Sequence, residues 1–107
     1  MHQDLALGKW ALLTLAEQLG NVGSEVGRAL SWKKRGNEEQ CDRALLRAFE
    51  LFDLTLGSYN NYSRLKELTR VRGTLADFFY GKNEFESSAE QIEKYFYSFA
   101  LLARKGH

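Results

Sequence analysis

Apolar residues recur three and four positions apart along nearly the whole chain, and Gly and Asn/Ser clusters break the rhythm near residues 34–37, 57–61 and 81–87. That period is helical. It predicts four helices, from Asp4 to Trp32, Glu38 to Leu56, Tyr62 to Tyr80 and Ser88 to Arg104. Joints this short favour antiparallel neighbours. The expected fold is therefore all-α, an antiparallel up-down-up-down four-helix bundle that takes residues 1–107 as one domain.

The first segment carries a seam of Leu5, Gly8, Leu12, Leu15, Leu19, Val22, Val26 and Ala29, with a second row of Leu13, Ala16, Gly20, Gly23, Gly27 and Leu30 beside it. Glycine inside a helix costs about 1 kcal/mol against alanine. Three of them call for an offset, either close approach of a neighbouring backbone or a bend near Gly20 to Gly23. The second segment repeats Cys41, Ala44, Leu45, Ala48, Phe52 and Leu56, with Asp42, Glu50 and Asp53 opposite. Leu65, Leu68, Val71, Leu75, Phe78 and Phe79 form the apolar face of the third, and Ile92, Tyr95, Phe96, Phe99 and Ala103 that of the fourth. The aromatic side of the core is expected between helices three and four. Ser87 or Ser88 is placed to cap the last helix, with Glu90 and Gln91 in its first turn.

Composition sharpens this picture at a few points. The chain of 107 residues has no proline, which suits long uninterrupted helices, and its single cysteine excludes an internal disulfide framework. Fifteen Lys and Arg stand against 14 Asp and Glu, so the net charge of +1 provides no global field toward nucleic acid or anionic lipid. No apolar run approaches the roughly 18 residues of a membrane span. Met1-His2-Gln3-Asp4 does not have the basic start of a signal peptide. A soluble, cytoplasmic protein that touches no membrane is expected.

Candidate chemistry is sparse. The two histidines, His2 and His107, stand at the ends of the chain, which argues against a histidine metal site or an acid-base dyad within the fold. Cys41 lies on an apolar face with no internal histidine to activate it and reads as a core residue. Phosphate-binding glycine loops, HExxH and ExxH are all missing. No catalytic group, cofactor or metal is expected, and the chain reads as a non-enzyme. The enzyme-class alternative is a relative of HEPN-type ribonucleases, also small helical bundles, or the inactive partner of a toxin-antitoxin pair. Its Arg followed by His is absent, since Arg72 is followed by Gly73-Thr74-Leu75-Ala76-Asp77-Phe78.

Some residues fall on unexpected faces. Trp10 and Trp32 share the polar stripe of helix one with Thr14, Glu17, Gln18, Asn21, Glu25 and Arg28, about 33 Å apart if the helix is continuous. They point to an interface, unless the helix is shorter and each ring folds back as a lid. Tyr97 and Leu101 form an i, i+4 pair off the core face of helix four, a second candidate protein interface. Arg72 sits in the centre of the apolar arc of helix three and calls for a carboxylate from Glu25, Glu17 or Asp53, Glu25 being the favoured partner of a buried ion pair. The alternative is an inward arginine in an oligomer channel, meeting a phosphate or an acidic peptide. Basic residues gather at Lys33-Lys34-Arg35 and at Arg64, Lys66 and Arg70, the latter flanked by Tyr59, Tyr62 and Tyr80. Rings beside arginines suit weak RNA or single-stranded DNA contact.

The string Leu19-Gly20-Asn21-Val22-Gly23-Ser24-Glu25-Val26-Gly27-Arg28-Ala29-Leu30-Ser31-Trp32, with Arg47-Ala48-Phe49-Glu50-Leu51-Phe52-Asp53-Leu54-Thr55 after it, resembles a family of small prokaryotic four-helix proteins across the whole chain. That family in turn resembles the accessory variability proteins of diversity-generating retroelements. The resemblance implies a ring-like homo-oligomer that binds a reverse transcriptase and its template RNA. Those proteins are strongly basic and this chain is nearly neutral, a departure that bears on direct RNA binding more than on the bundle. The expected function is a non-enzymatic, oligomeric interaction module serving a larger protein partner.

Overall fold

The computed structural model describes residues 8–58 and 61–105. Four helices account for most of them: α1 (Leu15–Lys34), α2 (Glu38–Ser58), α3 (Tyr62–Tyr80) and α4 (Ala89–Lys105). No strand occurs among the described residues, and none of their helices is long and apolar enough to cross a membrane. Neighbours touch in opposite senses. Gln18 near the start of α1 reaches Ser58 at the end of α2, and Ala29 near the end of α1 clusters with Cys41, Ala44 and Leu45 near the start of α2. Gly20 faces Ala100 and Gly23 faces Phe96, so α4 runs back along α1.

The continuous first helix expected from Asp4 is corrected by the structure. Residues 8–11 are helical, residues 12–14 are not, and α1 begins at Leu15. Thr14 is the reason. Its backbone is extended, its hydroxyl accepts the Glu17 amide at 3.1 Å, and the Glu17 carboxylate accepts the Thr14 amide at 2.8 Å. Two otherwise orphaned donors are thereby satisfied at once. The buried Gln18 amide donates to the carbonyls of Trp10, at 2.8 Å, and Leu13, closing the preceding turn. Residues 1–7, including Asp4 and Leu5, lie outside the described part.

The other joints follow their local chemistry. Gly36, at φ 78°, lets Asn37 donate to the Trp32 carbonyl as α1 ends, and Asn37 then caps α2 by accepting the Gln40 amide. Asn61 caps α3 in the same way, through Arg64. Before α4 it is Ser88 that caps, exchanging 3.0 and 3.1 Å bonds with Gln91. The loop over residues 81–88 is held by Asp77, whose carboxylate accepts the Glu84 and Phe85 amides, and by Asn83, whose side chain bonds Ser87 twice.

The core is built on α1. Leu19, Val22, Val26 and Leu30 pack with Ala48, Phe52, Leu68, Leu75, Ile92 and Phe96. The closest backbone contacts are those of α1 with α2 and α4, while α3 stands farther off. Glycine makes the α4 approach possible. A Cβ on Gly20 would lie 3.6 Å from the Ala100 Cα, and one on Gly23 only 2.6 Å from the Phe96 Cβ. Close approach offsets Gly23, whereas at Gly20 a Cβ would meet α4 in ordinary contact, and α1 is unbroken through both. The aromatic contacts extend beyond helices three and four, since Phe52 of α2 meets Phe96 edge-on and Phe49 stacks on Tyr80.

Candidate interaction surface

The outward face of α4 and the groove beside it are not absorbed by the core. Gly20, Gly23, Ser24 and Gly27 of α1 line one side, and Glu90, Glu93, Lys94 and Tyr97 of α4 line the other, around about 600 Å³ of open space. Gly27 has nothing within 4 Å of a would-be Cβ, so it leaves the groove open where Gly23 closes on Phe96. A second hollow of about 590 Å³ shares Gly27, Glu90 and Glu93 and continues to Lys33 and Lys34. Tyr97, which lines the groove, is 56% exposed, and Leu101, one turn further along α4, is 39% exposed.

The tryptophans are elsewhere. Trp10 packs against the main core, and its indole N–H donates to the buried Thr55 hydroxyl at 2.9 Å. Trp32 packs on the Ala29, Cys41, Ala44 and Leu45 cluster and carries the Arg35 guanidinium 5.0 Å from its ring centre. Both rings are half-buried lids on the bundle, in place of a shared outward stripe. The stripe itself turns partly inward, with Gln18 and Glu25 buried.

The expected pairing of Arg72 with Glu25 is also corrected. Arg72 donates to Asp53 at 2.8 Å and lies over the Phe49 ring at 4.8 Å, with over a third of its side chain exposed. Glu25 binds Arg28 and Arg47. The helical arc had placed Arg72 centrally. Because α3 stands off from the bundle, a long side chain at that angle runs along α2 to its edge and keeps its charged end wet.

The two basic clusters are separated. Lys33 lies over Phe78, near the end of α3, whereas Arg64 opens α3 and pairs with Glu67 at 3.1 Å. Fourteen residues of helix separate Arg64 from Phe78, about 21 Å. Lys33, Lys34, Arg35, Arg64, Lys66 and Arg70 are all exposed. Of the three tyrosines flanking the α3 group, Tyr62 and Tyr80 are exposed and Tyr59 lies outside the described residues.

Reactive groups are muted. Burial, aided by Asp42, pushes the Cys41 thiol up, so the thiolate a nucleophile needs is disfavoured. Tyr95, half-buried, donates to Glu67 at 3.3 Å, and burial together with that carboxylate pushes its phenol up to about 12. Among the described residues no group of three or more His, Cys, Asp and Glu is placed to hold a metal ion. His2 and His107 lie outside them. Comparison with family models, curated proteins and solved structures gave no match.

Several charged residues of α4 escape a reading of apolar faces alone. Glu90, Glu93, Lys94 and Arg104 look like ordinary solvated charges. For Glu90, Lys94 and Arg104 the legible signal is the four-and-three spacing that runs through Tyr97 and Leu101.

Proposed function

We propose that this chain is a non-enzymatic, oligomeric interaction module of the cytoplasm, an up-down-up-down four-helix bundle that docks on a larger protein within a nucleoprotein complex. A reverse transcriptase with its template RNA is the partner class to which the sequence resemblance leads. The observation that carries the reading is the exposed pair Tyr97 and Leu101 on α4, with Tyr97 lining the α1–α4 groove. Leaving a large apolar side chain in water forgoes roughly 1.5–3 kcal/mol, which an interface recovers. The opposite senses in which neighbouring helices touch support the bundle order.

Direct nucleic-acid binding, in this reading, is weak and falls on Arg64, Lys66 and Arg70, with Lys33, Lys34 and Arg35 as a separate contact. Few contacts per copy make useful affinity a property of the assembly. The test is sedimentation of the purified chain, followed by titration with single-stranded RNA at several salt concentrations. An oligomer at micromolar concentration is expected, together with a log–log salt slope of about 0.7 per phosphate contacted. That slope should flatten when Arg64, Lys66 and Arg70 become Gln. A monomer that neither joins a co-expressed reverse transcriptase nor binds RNA defeats the reading. RNA cleavage lost on mutating an arginine replaces it with the ribonuclease alternative.

A further inference from the structure

We infer that two copies of this chain pair through α4, antiparallel, about a two-fold axis beside Tyr97. This rests on the self-associating module proposed above and names its surface. Along the outward face of α4, Glu90, Lys94, Tyr97, Leu101 and Arg104 follow at alternating spacings of four and three residues, and all five are exposed. Such spacing keeps one stripe of a helix against a neighbouring helix.

The stripe is self-complementary. Glu90 stands seven residues before Tyr97 and Arg104 seven after it, while Glu93 stands four before and Leu101 four after. A two-fold operation sets each residue opposite its mirror position. Glu90 then faces the second copy's Arg104, the two Tyr97 rings meet at the axis, and the methylenes of Glu93 and Lys94 cover Leu101. Parallel pairing would oppose Glu90 to Glu90 and Arg104 to Arg104, which like-charge repulsion disfavours. None of Glu90, Glu93, Lys94 and Arg104 has an ion-pair partner among the described residues.

The groove supplies the rest of the contact. A helix of 17 residues is about 26 Å long, and a stripe one helix wide falls short of the roughly 800 Å² per partner of a standard interface. Gly27 and Ser24 present little side chain beside α4, so the second copy's helix can settle toward α1 and add area there.

Charge exchange tests the pairing. One variant carries Glu90→Lys and Glu93→Lys, the other Arg104→Glu and Lys105→Glu. Each alone opposes like charges at both ends, and its dimer dissociation constant in sedimentation equilibrium should rise roughly tenfold or more. An equimolar mixture restores opposite charges at both ends and should regain near wild-type dimerisation. Tyr97→Lys, which sets two ammonium groups at the axis, should dissociate the dimer with helical circular dichroism unchanged. A dimer surviving both exchanges, or a mixture that fails to recover, overturns the α4 pairing and leaves self-association through another face. Wild type that stays monomeric to its solubility limit overturns the pairing and self-association together, and leaves the groove to a foreign helix.

Discussion

The indole N–H of Trp10 lies 2.9 Å from the hydroxyl oxygen of Thr55, 45 residues further along the chain. Thr55 is fully buried, and its own hydroxyl donates a hydrogen bond to the Leu51 carbonyl at 3.0 Å. One bond thus ties the turn before α1 to the last third of α2, and it explains why the tryptophan left the outward stripe. Trp10→Phe keeps a ring but removes the donor, and should cost about 1 kcal/mol. Thr14→Ala, which removes the cap that turns the chain, should cost about 1 kcal/mol as well. Urea denaturation followed by circular dichroism measures both.

Two glycines on one helix should respond with opposite signs. Gly23→Ala would put a Cβ 2.6 Å from the Phe96 Cβ, and forcing α4 outward should destabilise the fold by about 1–3 kcal/mol. At Gly27 nothing lies within 4 Å, so Gly27→Ala gains helix propensity and should stabilise by about 0.5–1 kcal/mol. Equal effects in denaturant melts would contradict the close approach at Gly23. Gly27→Ala also narrows the groove, so sedimentation of that variant reports on its use.

Stability should fall in strong alkali through Tyr95. The ordinary phenol value is about 10, and burial beside Glu67 raises it to about 12 in the fold. The native state holds this proton when the unfolded chain has begun to lose it. The contribution is therefore complete below about pH 10 and is lost as pH rises toward 12. Wild type should lose unfolding free energy between about pH 10 and 12 more steeply than Tyr95→Phe.

The Arg72 and Asp53 pair should be weak and salt-sensitive. Their side chains are 37% and 58% exposed, and solvent screening limits such pairs to about 0.2–1 kcal/mol. A double-mutant cycle of Arg72→Met and Asp53→Asn should show a coupling of that size that shrinks in high salt. Stacking over Phe49 does not depend on Asp53. Arg72→Lys should therefore lose stability in high salt too, because an ammonium lacks the planar face.

The apolar rhythm, the missing prolines and the Gly and Asn/Ser clusters at the joints determine by themselves that the chain is helical and where α2, α3 and α4 begin, to within a residue. These are local properties, set by interactions within about one turn of helix. The glycines called for either a close neighbour or a bend, and Gly23 meets the neighbour. Three other matters waited for the tertiary structure. Thr14 and Glu17 stand in the sequence as two members of a polar stripe; that they cap α1 instead goes with Thr55 and Gln18, which give Trp10 a better place than solvent. The partner of Arg72 depends on how far α3 stands from α1, a distance that angular position on a helix does not contain. The groove beside α4 exists because Gly23 meets Phe96 while Gly27 meets nothing, and two identical residues one turn apart acquire different roles only when a second helix crosses them.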